Sequence, residues 1–250
     1  MSVLEAIAVL LAGLTAGTIN AVIGSGTLVT FPVLLAVGYP PVVANVSNGL
    51  GLVPGSFAAV HGYRAELRGH WRPALTLVAR SAAGAVLGAV LLLELPAGWF
   101  RAIVPVLIAG ALVLVVLQPR VSAWVASRRP HGAPEHGRAL RTGVGVTGVY
   151  GGYFGAGQGI LLFALLGTAL PDDLQRVNAL RNLLAGTANG VSALVFVLVA
   201  DVAYGAAALI AVGAVFGGVL GARIGRRLSP RTLRMVVVVV GIAAILQLVL

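Results

Sequence analysis

Apolar residues gather in long runs along this chain, and polar residues gather between them. The first run covers about residues 3–38 and is interrupted at Gly24-Ser25-Gly26 and again at Pro32. It is too long for one straight span of about 20 residues and too short for two. Runs at about 42–61, 73–93 and 99–117 each have the length of one spanning helix. A hydrophilic stretch from Gln118 to Arg141 follows, with Pro119, Pro130, Pro134 and five arginines. It reads as a linker between halves. Runs at about 143–170, 177–199, 204–224 and 233–250 complete the chain, the first of them interrupted at Gly155-Ala156-Gly157-Gln158-Gly159. The pattern predicts an all-α polytopic membrane protein of about eight hydrophobic segments, with segments one and five broken at glycine tips. The expected organisation is a first transmembrane repeat at 1–117, an Arg/Pro-rich cytoplasmic linker at 118–141 and a second transmembrane repeat at 142–250.

The second half resembles the first residue by residue. Gly17 falls on Gly148, Gly24-Ser25-Gly26 on Gly155-Ala156-Gly157, Asn48 on Asn182, and the run from Gly84 to Ala89 on that from Gly217 to Ala222. Charge does not follow the same correspondence. The loop after segment two carries Arg64, Arg68 and Arg72, whereas its counterpart after segment six carries only Asp201. The loop after segment three has Glu94 and Arg101, whereas its counterpart has Arg223, Arg226, Arg227, Arg231 and Arg234. Because basic loops stay on the cytoplasmic side, equivalent loops are expected on opposite faces, which makes the halves inverted repeats. Segments one and five then enter and return on the same side, with both chain ends outside. The alternative is that both are ordinary kinked spans and the charge rule is broken once.

Composition agrees with the segments. Some 59% of the residues are apolar and 10% charged, with a mean hydropathy of +1.01. A soluble domain carries about 25% charge. A disordered chain is far poorer in apolar residues. The net charge of +10 comes from seventeen arginines and no lysine. Its place in loops between apolar runs points to orientation in an anionic bilayer and not to nucleic acid. The start, Met1-Ser2-Val3-Leu4-Glu5, has no basic stretch, so a cleaved signal peptide is not expected. With no cysteine, thiolate catalysis and disulfides are excluded.

Enzyme chemistry finds no footing. His61, His70, His131 and His136 lie in or beside loops, so none is placed to activate Ser25, and no cofactor or metal is expected. Non-helical backbone at membrane depth needs cover from protein or a water-filled cavity. Helices starting after Gly26 and Gly157 would turn free N–H groups and positive dipole ends towards such a cavity, as an anion site requires. Gly84, Gly88, Gly213, Gly217 and Gly221, spaced by about four, read instead as helix packing. Asn45, Ser47, Asn48, Asn178, Arg181, Asn182, Thr187 and Asn189 interrupt apolar segments and need partners inside the protein. Interhelical bonding and ligand contact are both open for them. Arg80 sits about two turns into segment three without an evident carboxylate partner, so snorkelling or carbonyl pairing is expected of it. The candidate substrate contacts are Gly24, Ser25, Gly26, Thr27 and Asn48 from the first half. Gly155, Gly157, Gln158, Gly159, Asn178, Arg181, Asn182 and Asn189 come from the second.

Gly17, Gly24-Ser25-Gly26, Pro32 and Gly38 together resemble the first glycine-rich signature of the sulfite exporter TauE/SafE family. Gly148 to Gly159, Val177 to Asn182 and Gly217 to Gly221 are similar to its second half. Ser25 and Ala156 stand where that family often has another glycine. The resemblance implies a multi-pass plasma-membrane transporter, usually bacterial, for a small sulfur oxyanion such as sulfite or for a sulfonate. Arg181 stands where it leads one to expect a basic residue. The partners so implied are a small anion and the lipid bilayer. An accessory or scaffold membrane subunit is the alternative. Coupling ion, direction of transport and homo-oligomerisation are left open.

Overall fold

The computed structural model describes residues 1–67, 71–128, 137–170, 174–224 and 230–249. Expectations placed on Arg68, His70, Pro130, His131, Pro134, His136, Arg226 and Arg227 lie outside the described residues. Among the described residues all regular structure is helical, in ten helices.

Ser2 starts α1 (Val3–Val22) through a capping box: its Oγ accepts from the Glu5 amide, and the Glu5 carboxylate accepts from the Ser2 amide at 2.7 Å. The helix stops where Gly24 takes φ +86°, a conformation that suits glycine. The chain turns there, and α2 (Thr27–Ala36) folds back along α1, with Gly26 against Ala16 and Asn20. Then come α3 (Pro41–Gly62), α4 (Trp71–Glu94) and α5 (Ala97–Ser127). The second half repeats the plan. A helix α6 (Arg138–Tyr153) breaks and folds back as α7 (Gln158–Ala169), with Gln158 against Gly151 and Leu165 against Gly143. It is followed by α8 (Leu174–Val199), α9 (Tyr204–Ile224) and α10 (Pro230–Val249).

Among the described residues, five helices are long and apolar enough to cross a membrane: α1, α4, α5, α8 and α9. α3 has 22 residues, but its buried Asn45, Ser47, Asn48 and Ser56 lower its hydropathy. α5 continues through Pro119 to Ser127, beyond the boundary expected at residue 117. Proline removes one helical hydrogen bond but need not end a helix that is held from outside. Here Arg234 on α10 donates to Gln118 Oε1 at 3.2 Å, one residue before the proline.

Glycines set the packing. A Cβ at Gly84 would lie 2.1 Å from the carbonyl oxygen of Gly145, and one at Gly217 2.0 Å from that of Leu14. Small residues thus let α4 pack on α6, and α9 on α1, backbone to backbone. The contacts also fix direction. Gly51, Gly55 and Gly62 lie level with Ile210, Ala214 and Ala222, so α3 and α9 run parallel. Gly186 meets Ser56 and Gly190 meets Val53, so α8 runs against α3. The α1–α2 hairpin therefore opens at the end where α3 begins, and the α6–α7 hairpin at the opposite end, where α8 begins. Each half reaches into the other: α1 packs on α9 as α6 does on α4, α3 on α9 as α8 does on α4, and α2 on α10 as α7 does on α5.

Candidate functional site

The two hairpins meet at their broken tips. Gly159 at the start of α7 donates its amide to the carbonyl of Gly24 at 3.1 Å. A Cβ on Gly24 would lie 2.6 Å from Cα of Gly159, and one on Gly159 2.5 Å from Cα of Gly24. Neither residue can carry a side chain while this contact persists. The tips thus act on each other, with the Gly24 carbonyl satisfying an amide at the head of α7.

That contact changes what the helix starts offer. The amides of Gln158, Gly159 and Ile160 bond to the carbonyls of Gly155, Gly24 and Gly157. At α2, the amides of Leu28, Val29 and Thr30 bond to Ser25 and Gly26 carbonyls, and the Gly26 amide reaches Asn20 Oδ1 at 3.5 Å. The expectation that both starts present rows of free N–H groups is therefore corrected: most of the first-turn amides already have partners. Gly155 and Gly157 do adopt φ of +77° and +74°, but Gly26 is helical at −59°. Gly26 is required by closeness instead, since a Cβ there would lie 2.5 Å from the Ala16 carbonyl oxygen.

Arg181 holds the first tip from α8. It is 3% exposed, and donates through Nη1 to the carbonyl of Ile23 at 2.9 Å and through Nη2 to those of Ala21 at 3.0 Å and Asn20 at 3.4 Å. These carbonyls are the unsatisfied C-terminal end of α1, where a cation is favoured by the helix dipole. Asn182 adds a donor to Ala21 at 3.4 Å. On the other side Asn45 of α3 donates to the carbonyl of Tyr153 at 3.0 Å, at the end of α6. Each broken helix is thus clamped by the half of the chain it does not belong to.

Two polar side-chain atoms at the first tip have no hydrogen-bond partner: Oγ of Ser25, which is 1% exposed, and Nε of Arg181. A buried donor left unpaired costs about 1–3 kcal/mol, more when charged. An acceptor-rich anion would satisfy both groups.

The candidate residues divide around the two tips. Gly24, Ser25, Gly26, Thr27, Asn48, Gly159, Arg181 and Asn182 gather at the first, where Thr30 donates to Asn48 Oδ1 and Asn48 reaches Thr27 Oγ1 at 3.5 Å. Gly155, Gly157, Gln158 and Asn189 belong to the second, where Gln158 donates to the Thr147 carbonyl at 3.1 Å and Asn189 flanks Gly155. Asn178 is half-buried, one turn before Asn182. Asn20, Thr30, Ser56 and Tyr150 do not stand out in the sequence, yet they brace the tips, the first three by joining the first tip to α3 and Tyr150 within the second. Asn20 donates to Ser56 Oγ at 3.4 Å, and Tyr150 to the Ala156 carbonyl. An Asn in the last turn before a glycine break was the available signal. Phe31, Phe100 and Phe154 pack edge to face beside the second tip, with centroids 5.4 Å and 6.2 Å apart.

Comparison with known proteins extends these observations. The model of a family described as sulfite exporter TauE/SafE matches residues 9–248. A probable membrane transporter protein YfcA of Escherichia coli K12 is 29% identical over 226 residues, covering 90% of this chain and 82% of the relative. The probable membrane transporter protein ORF9 of a Sinorhizobium species is 26% identical over 242 residues, covering 95% and 89%. One from Haemophilus influenzae, also called a probable membrane transporter protein, is 25% identical over 230 residues, covering 91% and 88%. No solved structure matches the chain.

Proposed function

This chain belongs to the sulfite exporter TauE/SafE family, and on that premise we propose that it is a secondary transporter or facilitator for a small sulfur oxyanion or organosulfonate, such as sulfite. The observation that carries this reading is the pair of buried, unpartnered donors, Ser25 Oγ and Arg181 Nε, at the tip where the two hairpins touch. Arg181 has five N–H donors. Three go to carbonyls at the end of α1, which fixes its plane and leaves Nε–H and the second N–H of Nη1 for a ligand. A tetrahedral or pyramidal oxyanion offers several acceptors to such a fixed group. Gly24 and Gly159 leave backbone close at hand in place of side chains.

The proposal includes orientation. Arg64, Arg128, Arg138, Arg141, Arg223 and Arg234 lie at the end of the bundle where α3 and α9 finish, while Glu5, Glu94 and Asp201 lie at the other with Arg101. The positive-inside rule places the arginine-rich end in the cytoplasm of a bacterial cell and both chain ends outside. The hairpins then enter from opposite faces, which supports reading the halves as inverted repeats around a shared site near the midplane.

The test is flux through purified protein in liposomes, with sulfite, sulfoacetate, taurine, thiosulfate and sulfate offered in turn. Saturable movement of one or more sulfur anions is expected. Absence of flux with all of them, from protein that is folded and correctly inserted, contradicts transport and favours an accessory subunit.

A further inference from the structure

Away from the hairpin tips, the start of α6 and the third turn of α4 flank an open cavity of about 290 Å3 lined by Arg80, Arg138, Arg141 and Thr142. No carboxylate is among these residues. Among the described residues no group accepts a hydrogen bond from any of the three guanidiniums or pairs with it, and Nε of Arg141 is buried without a partner. Three like charges around one cavity repel one another, and the repulsion grows as the surrounding medium becomes less polar. An anion bound among them would relieve that repulsion.

The surroundings of Arg80 identify the kind of anion. Arg80 lies more than two turns into α4, roughly 13 Å along the helix at 1.5 Å per residue. It is exposed, and the same face of α4 continues with exposed Ala83, Leu87 and Leu91. Across the groove α6 exposes Val146, at 64%. In a bilayer this apolar face meets acyl chains, so the arginines sit at the head of a hydrocarbon track. A soluble anion has use for the arginines alone, whereas a phospholipid fits both parts. We propose that this cavity holds the phosphate of an anionic phospholipid whose acyl chain lies along Ala83, Leu87 and Val146. Arg80, Arg138 and Arg141 take the phosphate charge, and Thr142 donates its hydroxyl. The site is separate from the hairpin tips and does not depend on what the protein carries.

Thermal unfolding of the purified full chain in neutral detergent tests this. Phosphatidylglycerol, phosphatidylcholine and soluble sn-glycerol 3-phosphate are added separately, and native mass spectrometry counts the lipid retained. Phosphatidylglycerol is expected to raise Tm of the parent by several degrees and to remain bound, while the other two leave it unchanged. The double variant Arg80→Gln/Arg141→Gln should lose the shift, and Arg64→Gln, in a different basic cavity, should keep it. If the double variant does not fold, the single variant Arg138→Gln, altered at an exposed side chain, is expected to show a smaller shift. An equal shift with phosphatidylcholine, or a full phosphatidylglycerol shift in the arginine variants, overturns the proposal. A shift reproduced by sn-glycerol 3-phosphate overturns the lipid assignment in favour of a free phosphate.

Discussion

Arg181 is a structural clamp at the end of α1, and the proposed function gives it a ligand role as well. Its Nη atoms close the end of α1, so removing them leaves the Asn20 and Ile23 carbonyls without a donor and Ala21 with Asn182 alone. Arg181→Gln is expected to destabilise the protein by about 2–5 kcal/mol, as loss of a buried charged partner does. It should also abolish transport, read as a fall in Tm and in flux at equal insertion. Arg181→Lys keeps the charge but cannot reach three carbonyls at once. It is expected to retain part of the activity and to unfold at a temperature between those of parent and Arg181→Gln. A parent-like Tm in Arg181→Gln contradicts the clamp. The sequence made Arg181, Asn182 and Asn48 legible because polar groups stand out in apolar segments. Their partners were not legible. The carbonyls that Arg181 binds lie 158–161 residues away along the chain, and no local pattern announces them.

The elements follow from the same contrast between pattern and context. Both breaks were visible as glycine clusters, and Gly24, Gly155 and Gly157 do take positive φ. What the cluster could not reveal is that Gly24 and Gly159 touch, since that depends on two hairpins arriving from different halves. Gly159→Ala is expected to force the tips apart and stop transport while the chain still inserts, because its Cβ would meet the Gly24 backbone at 2.5 Å. Normal flux in that variant contradicts a functional crossing. The packing glycines were legible from their spacing. Gly217→Val should lower stability by about 1–3 kcal/mol through overpacking of α1 against α9, measured by thermal unfolding. The end of α5 was less legible. Pro119 argues locally for a stop, but the helix runs on to Ser127, as it also runs through Pro105, with Arg234 of α10 bonded to Gln118 one residue before Pro119.

At the scale of the whole molecule, the reversal of arginine between corresponding loops underlies the proposed opposite orientation of the two halves. Single cysteines can read it directly, because the chain has none of its own. Cysteines at Ser2 and Asp201 should label with a membrane-impermeant reagent from outside intact cells. Cysteines at Ala65 and Ser127 should label only after permeabilisation. Labelling of Ala65→Cys and Asp201→Cys from the same side contradicts the orientation. Interleaving of the halves was hidden in the sequence, because chain order gives no hint that α1 packs on α9 or α6 on α4.

The central claim is that the unpartnered donors at the hairpin tip take the transported anion, and Ser25→Ala isolates it. The hydroxyl has no partner within the protein, so its removal costs no internal hydrogen bond and should leave Tm unchanged. A hydrogen bond to a charged ligand is worth about 1.5–3 kcal/mol, or on the order of 10- to 100-fold in affinity. The measurement is the half-saturating sulfite concentration for uptake into proteoliposomes, in parent and Ser25→Ala at equal insertion. A rise of about 10-fold or more with unchanged Tm is the predicted result. Identical half-saturation in the two proteins would contradict an anion bound at this tip.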